Sequence, residues 1–150
     1  MITTSNFTML THIRHPLSIA MSAPRWYRCP TMKELSPSYN LLKEFKTGII
    51  QADEFRFRYE QNVLQNFDPW DLLNMIKERV GLPKTTEENI SLLSYEKPGV
   101  VSHRHYVADY INAVLPEDQW IKELSIRDCM IDKQVVKHLD VYKSQIPYFN

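Results

Sequence analysis

The chain has 150 residues, 43% of them hydrophobic, which is enough for one domain with a buried core. Its 18 lysines and arginines balance its 18 acidic residues, so the molecule as a whole has no electrostatic preference for duplex DNA or acidic membranes. No signal peptide and no apolar run of membrane-spanning length is visible. We therefore expect a single domain over 1–150 in a cytoplasmic protein that does not bind membranes.

Short strands and a brief helix are predicted near the start of the chain. Residues 1–6 are rich in Thr and Ile, which favour extended backbone, and predict a first strand. Residues 8–13 predict a brief helix, and the alternation of side chains over residues 17–21 predicts a second strand. Residues 22–36 contain Pro24 and Pro30 and are expected to form an irregular loop.

Three helices are predicted after this loop. Ser36-Pro37 is typical of a helix start, because serine caps the first turn and proline has no N–H to leave unpaired, and Gly48 is expected to end this helix. Asp68-Pro69 predicts the third helix by the same signature. Asp53 is expected to cap the second helix, whose buried side chains recur every four residues: Phe55, Tyr59, Val63 and Phe67.

The most apolar strand is predicted in the second half of the chain. Residues 90–95 are apolar on nearly both faces, as expected of a central strand in a parallel sheet. Lys97-Pro98-Gly99-Val100 predicts a type II turn, and Ser102 is expected to cap the helix that follows. Residues 120–124 predict a last strand, and a C-terminal helix is expected at about 132–146.

The alternation of strands and helices predicts the fold class: α/β; three-layer, mainly parallel sheet flanked by helices, Rossmann-like without a glycine-rich loop. Gly48, Gly81 and Gly99 are too far apart for a phosphate-cradling loop, so no cofactor is expected. His103 and His105 diverge by about 200° on a helix, and His12 and His15 could meet on one helical turn but have no evident third ligand, so no metal is expected either.

A candidate site follows the most apolar strand. Ligands of parallel sheets bind beyond the carboxyl ends of the strands, and Glu96 stands there as a candidate general acid or base. Ser102 and Arg104, at a helix start, are candidates to hold a phosphate or carboxylate, with His103 between them as a second catalytic candidate. The alternatives are a simple cap for Ser102, a structural ion pair of Arg104 with Glu96 or Asp128, and a surface position for His103.

The segment 22–47 has a local excess of positive charge, with five basic residues against two acidic ones. Trp26 and Tyr27 stand within it, and aromatic rings beside cationic side chains are suited to stacking a base next to a phosphate. The alternative is a solvated loop whose aromatic side chains pack on the core.

Several short motifs resemble the domain-of-unknown-function 488 family. Residues 92–97, Leu-Leu-Ser-Tyr-Glu-Lys, followed by Ser102-His103-Arg104, are similar to its Leu-Cys-Tyr-Glu-Lys, turn and Cys-His-Arg pattern. Pro24-Arg25-Trp26-Tyr27 resembles its Pro-x-Trp-Tyr loop, and the resemblance covers about residues 1–124.

The resemblance implies a compact α/β fold and a site built from the regions of Ser5-Asn6, Trp26-Tyr27, Glu96 and Ser102–Arg104. It implies no reaction, because the family is uncharacterised. Two motif cysteines are replaced by Ser94 and Ser102 in this chain, and serine is a much weaker nucleophile than a thiolate.

Two functions from different classes fit these observations. One is an acid/base enzyme acting on a small anionic, nucleotide-derived ligand. The other is a non-catalytic binding or interaction module that uses the same cleft, and it is less affected by the loss of the cysteines. Binding of single-stranded nucleic acid through the segment 22–47 is a third hypothesis.

Overall fold

The computed structural model describes residues 1–124, and the helix predicted at 132–146 lies outside them. One four-stranded sheet is built from β1 (Ile2–Asn6), β2 (His15–Ser18), β3 (Ile90–Ser94) and β4 (Lys122–Glu123). The strand order is β2-β3-β1-β4, and all three pairings are parallel. β3 is therefore central, and the carboxyl ends of the strands meet at one edge of the sheet.

In the described part of the chain, four α-helices accompany the sheet: α1 (Tyr39–Lys46), α2 (Ala52–Asn62), α3 (Pro69–Arg79) and α4 (His103–Asn112). Short 3₁₀ helices span Phe7–His12, Lys33–Leu35, Leu64–Asn66 and Glu117–Gln119. Parallel strands need crossover connections: a 3₁₀ helix lies between β1 and β2, α1 to α3 lie between β2 and β3, and α4 lies between β3 and β4.

Adjacent residues of β3 contribute to two different cores. Leu92 belongs to the main core, together with apolar side chains of the four α-helices such as Phe55 and Ile76. Leu93 belongs to a second core with Phe7 and Tyr27, on the other face of the sheet. The prediction of an α/β fold with a parallel sheet flanked by helices is confirmed.

Two predicted helix starts are wrong in detail. α1 begins after Ser38, whose Oγ accepts a hydrogen bond from the Leu41 N–H, whereas Ser36 closes the preceding 3₁₀ turn with its N–H donated to the Lys33 carbonyl. The cap of α2 is Gln51, and Asp53 lies within the first turn of the helix. Ser36 and Ser38 stand on either side of Pro37, and the sequence pattern does not show which of the two serines caps the helix.

The edge strands differ from their predicted ranges. β2 begins at His15 and ends at Ser18, so it starts earlier than the predicted 17–21 and includes Pro16. Proline is tolerated there because an edge strand has one row of N–H groups that no neighbouring strand uses. β4 covers two residues of the predicted 120–124, and its pairing is extended by the Leu124 N–H, which donates to the Thr4 carbonyl at 2.8 Å.

The local signals around the central strand are confirmed. Ser102 caps α4, and Asp68 caps α3 through hydrogen bonds from the N–H groups of Trp70 and Asp71. The turn after β3 closes with the Val100 N–H donated to the Lys97 carbonyl at 3.1 Å, and Gly99 has the positive φ of 86° that a type II turn requires. Within residues 1–124, no helix has both the length and the hydrophobicity needed to cross a bilayer.

Candidate functional site

Arg104 lies at the centre of a buried polar network below the carboxyl edge of the sheet. The Ser102 cap places it in the first turn of α4, where its side chain is fully buried. Its guanidinium donates to both carboxylate oxygens of Glu123, from Nε at 3.0 Å and from Nη2 at 2.8 Å. Nη1 donates to Ser94 Oγ and to the Glu96 carbonyl, each at 2.8 Å. Four hydrogen bonds to protein acceptors thus occupy this side chain.

Glu123 is held by more than its pair with Arg104. Thr4 Oγ1 donates to its Oε1 at 2.6 Å, and His105 Nε2 donates to its Oε2 at 2.9 Å. Burial by itself raises the pKa of Glu123, but the hydrogen bonds from His105 and Arg104 keep this pKa well below its usual value. The carboxylate is therefore ionised, and it ties β1 and α4 to β4.

The side chains of Ser94 and Ser102 contact each other in the interior. Ser94 Oγ and Ser102 Oγ are 2.6 Å apart, and both side chains are buried. Ser94 Oγ also accepts from Arg104, and Ser102 Oγ accepts from the Arg104 N–H at 3.4 Å. These hydroxyls link the end of β3 to the start of α4.

His103 is a buried, neutral imidazole. Its Nε2 lies 2.8 Å from the Ile19 carbonyl, and because a carbonyl only accepts, this nitrogen carries the proton. Burial lowers the pKa of His103 to about 4. Nδ1 is therefore an unprotonated acceptor, and it has no hydrogen-bond partner among the described residues.

We expect acidification to destabilise the fold through His103. Its folded pKa of about 4 lies below the ordinary value of 6.5, so its contribution is present above pH 6.5 and is lost as the pH falls towards 4. Between pH 7.5 and 5.5 the free energy of unfolding should fall by about 1 kcal/mol from this residue. Urea unfolding at the two pH values measures the fall.

His103→Gln should reduce this pH dependence, and His12→Asn, at an exposed position, should leave it unchanged. Some dependence is expected to remain in His103→Gln, because burial also lowers the pKa of His105. Equal slopes in wild type and His103→Gln would contradict the assignment of the neutral state.

Glu96 lines a pocket of about 310 Å³ at the carboxyl end of β3. Its side chain is mostly buried, and its Oε2 lies 3.8 Å from Lys46 Nζ. Phe45 and Phe55 stack in parallel in the wall, with ring centroids 4.4 Å apart. The other lining residues are apolar: Leu42, Val100 and Val101. The pocket thus presents one carboxylate and one ammonium group against apolar walls.

The predicted pair Trp26-Tyr27 is divided between surface and interior. Tyr27 is buried, where its hydroxyl donates to the Pro30 carbonyl at 2.6 Å and accepts from the Ser18 N–H at 3.0 Å. Burial raises the pKa of Tyr27 well above its usual value. Trp26 is exposed and packs edge-to-face on Phe7 at 6.4 Å. Of these two rings, Trp26 alone is exposed to a ligand.

Ser5 and Asn6 lie at the end of β1. Both side chains are buried; Asn6 Oδ1 accepts from Thr8 Oγ1 at 2.6 Å, and Ser5 Oγ has no hydrogen-bond partner among the described residues. Neither residue lines the Glu96 pocket.

A cavity of about 390 Å³ lies at the amino end of the sheet, beside Met1 and Lys77. None of the residues that line it is a predicted site residue.

The predicted anion clamp of Ser102 and Arg104 therefore needs correction. Both side chains are buried, and Arg104 forms its ion pair with Glu123 and not with the Glu96 carboxylate, while Asp128 lies outside the described residues. The surface position considered for His103 is also wrong. The underlying reason is that a guanidinium inside a protein is stable only beside a carboxylate, and β4 supplies one directly opposite α4.

Sequence reasoning missed Glu123 and treated Lys46 only as part of a basic segment. A usable signal existed for Glu123, because a carboxylate inside a predicted strand must either face solvent or have a buried partner. Among residues 1–124, no three His, Cys, Asp or Glu side chains are grouped as a metal site would require.

The comparison with protein families shows which family the chain matches. A family described as the active DUF488-N3 subclade matches residues 5–115, slightly less than the 1–124 over which the motifs resemble the family. No curated protein and no solved structure matches the chain. The matched range includes Glu96, Lys46 and the start of α4, but ends before Glu123.

Proposed function

Since the chain belongs to the domain-of-unknown-function 488 family, within its active DUF488-N3 subclade, we propose that it is an acid/base enzyme acting on a small anionic, nucleotide-derived ligand. The observation that carries the proposal is the Glu96 carboxylate in a pocket wall, beyond the carboxyl end of the central strand. The proposal includes a Rossmann-like arrangement and a cytoplasmic location, as the sequence predicts.

The pocket supports a ligand that is partly planar and apolar. Its volume of about 310 Å³ is at the lower end of the usual range for small-molecule sites, so it suits one ring system rather than a dinucleotide. The stacked rings of Phe45 and Phe55 offer an apolar wall for a base. The anionic group of the ligand would then be left near the charged side chains.

Lys46 and Glu96 would have separate roles. Lys46 attracts the anionic group of the ligand, and in doing so it moves away from Glu96, which it approaches only to 3.8 Å. Glu96 then accepts a proton from the ligand or donates one to it, which is the role of a general base or acid. The backbone of Glu96 is held in place because its carbonyl accepts from the buried Arg104.

The alternative is a binding module without catalysis, and one observation favours it. Ser94, Ser102 and Arg104 form hydrogen bonds with one another inside the protein, which supports a structural role for these polar groups. His103 is likewise buried against the Ile19 carbonyl. Glu96 is then the single catalytic candidate that lines the pocket.

The test combines ligand binding with product analysis. The wild-type protein is heated with AMP, CMP, GMP, UMP or ribose 5-phosphate, because a ligand that binds only the folded state raises Tm. Any probe that does so is incubated with the protein and examined by mass spectrometry. We expect Glu96→Gln to reduce turnover about 10²- to 10⁴-fold while the ligand still raises Tm.

Two variants complete the test. Lys46→Ala should weaken ligand binding, and Glu44→Gln, on the same helix but paired with Arg58, should change neither binding nor turnover. Recovery of a bound ligand unchanged would overturn the enzyme proposal in favour of the binding module. Full turnover in Glu96→Gln would exclude Glu96 from the reaction.

A further inference from the structure

Two exposed aromatic rings contact the same buried ring at the carboxyl edge of the sheet, and neither of them lines the Glu96 pocket. The side chains of Trp26 and Tyr95 are 57% and 53% exposed. Both pack on the buried ring of Phe7, with centroid distances of 6.4 and 4.9 Å. Phe7 belongs to the core on the face of the sheet opposite the main core, to which the pocket residue Phe55 belongs. We call Trp26 and Tyr95 the aromatic platform.

The platform is held by the protein rather than mobile on its surface. The Tyr95 hydroxyl donates to the Ser22 carbonyl at 2.6 Å, which ties the end of β3 to the loop that carries Trp26. Tyr27 anchors the same loop through its hydrogen bonds with Pro30 and Ser18. Rings that are already positioned lose little conformational entropy when a ligand stacks on them.

The chain segment that carries Trp26 is positively charged. No Asp or Glu occurs before Glu34, while Arg14, Arg25, Arg28 and Lys33 lie in that segment. Arg14 is near Glu88, at 3.7 Å. Arg25 and Arg28 flank Trp26 and are exposed, and within residues 1–124 neither has a carboxylate within 4 Å.

We propose that the aromatic platform stacks unpaired bases of single-stranded nucleic acid, with Arg25 and Arg28 at the phosphates. Exposed rings beside cationic side chains fit this ligand, because every base has a face to stack and every nucleotide carries a negative charge. Duplex DNA buries its base faces and would not fit. The site is distinct from the pocket and goes beyond the proposed enzymatic function.

The test measures the binding of fluorescently labelled twelve-nucleotide strands of dT, dA and U by anisotropy at several salt concentrations. We expect Trp26→Ala and Tyr95→Ala each to weaken binding about tenfold or more, since each removes one stacking surface. Trp70→Ala is the matched control, because Trp70 is also 50% exposed but lies on α3. The Trp70→Ala variant should bind the strands with the affinity of the wild-type protein.

The phosphate contacts have a separate readout. The affinity for the strands should fall less steeply with salt in the double variant Arg25→Ala/Arg28→Ala. The magnitude of the slope of log affinity against log salt should decrease by about 1.4, since each lost phosphate contact with a single strand contributes about 0.7. Circular dichroism verifies that each variant is folded. The proposal would be overturned if the wild-type protein did not bind the strands, or if Trp26→Ala bound them as tightly as wild type. It would also be overturned if the protein bound anionic phospholipid vesicles and not the strands. The nucleotide tests of the pocket use other residues, so the two proposals fail independently.

Discussion

Glu123→Gln is expected to lower the free energy of unfolding by about 3–5 kcal/mol, because it removes one partner of a buried ion pair. Arg104 and Glu123 are both fully shielded from solvent, and the guanidinium would be left without its counter-charge. The substitution also replaces one carboxylate oxygen with an NH2 group, so that either Thr4 or His105 loses its acceptor. Urea unfolding at pH 7.5 measures the change.

A surface pair provides the control for this prediction. Arg79 also donates two hydrogen bonds to the Glu34 carboxylate, but both side chains are partly exposed to solvent. Glu34→Gln should therefore lower the free energy of unfolding by less than about 1 kcal/mol. The double variant Arg104→Met/Glu123→Gln should cost less than the two single changes together, since it leaves no unpaired charge. Additive losses, or a loss below 1 kcal/mol in Glu123→Gln, would show that the pair does not hold the network.

Phe55→Ala is expected to destabilise the protein by about 3–5 kcal/mol, because it empties a large buried site in the main core. Phe55 is almost completely buried and stacks on Phe45 at 4.4 Å, with Tyr106 at 5.9 Å on another side. The same change enlarges the Glu96 pocket, of which Phe55 is a wall. Thermal and urea unfolding measure the loss.

Phe57→Ala is the matched control, two residues along the same helix. Phe57 is 61% exposed, so its removal should change the free energy of unfolding by no more than about 0.5 kcal/mol. The two substitutions delete the same atoms from the same helix and differ in burial alone. Equal effects would mean that α2 does not present Phe55 to the core.

Much of the fold was predictable because the signals for it are local. Asp68 before Pro69, Ser102 before α4 and the Pro98-Gly99 turn each act through hydrogen bonds or dihedral angles within a few residues. The apolar run 90–94 predicted the central strand for the same reason. Where two local signals competed, as with Ser36 and Ser38, the pattern did not decide between them.

The candidate site was predictable in part. Glu96 was found from its position after the central strand, and it does line a pocket. The burial of Ser102, His103 and Arg104 was not predicted, because a helix start in a sequence does not reveal whether it is covered by other elements. The same three residues lie in the interior, beneath β3 and β4.

The sequence by itself determined the α/β class, the central strand and the caps, since these depend on residues that are neighbours along the chain. Only the tertiary structure decided that Arg104 pairs with Glu123 and that Lys46 reaches Glu96, because these partners are brought together by strand order and helix packing. A charged side chain takes whichever opposite charge the fold places within reach, and its distance along the chain does not specify that partner.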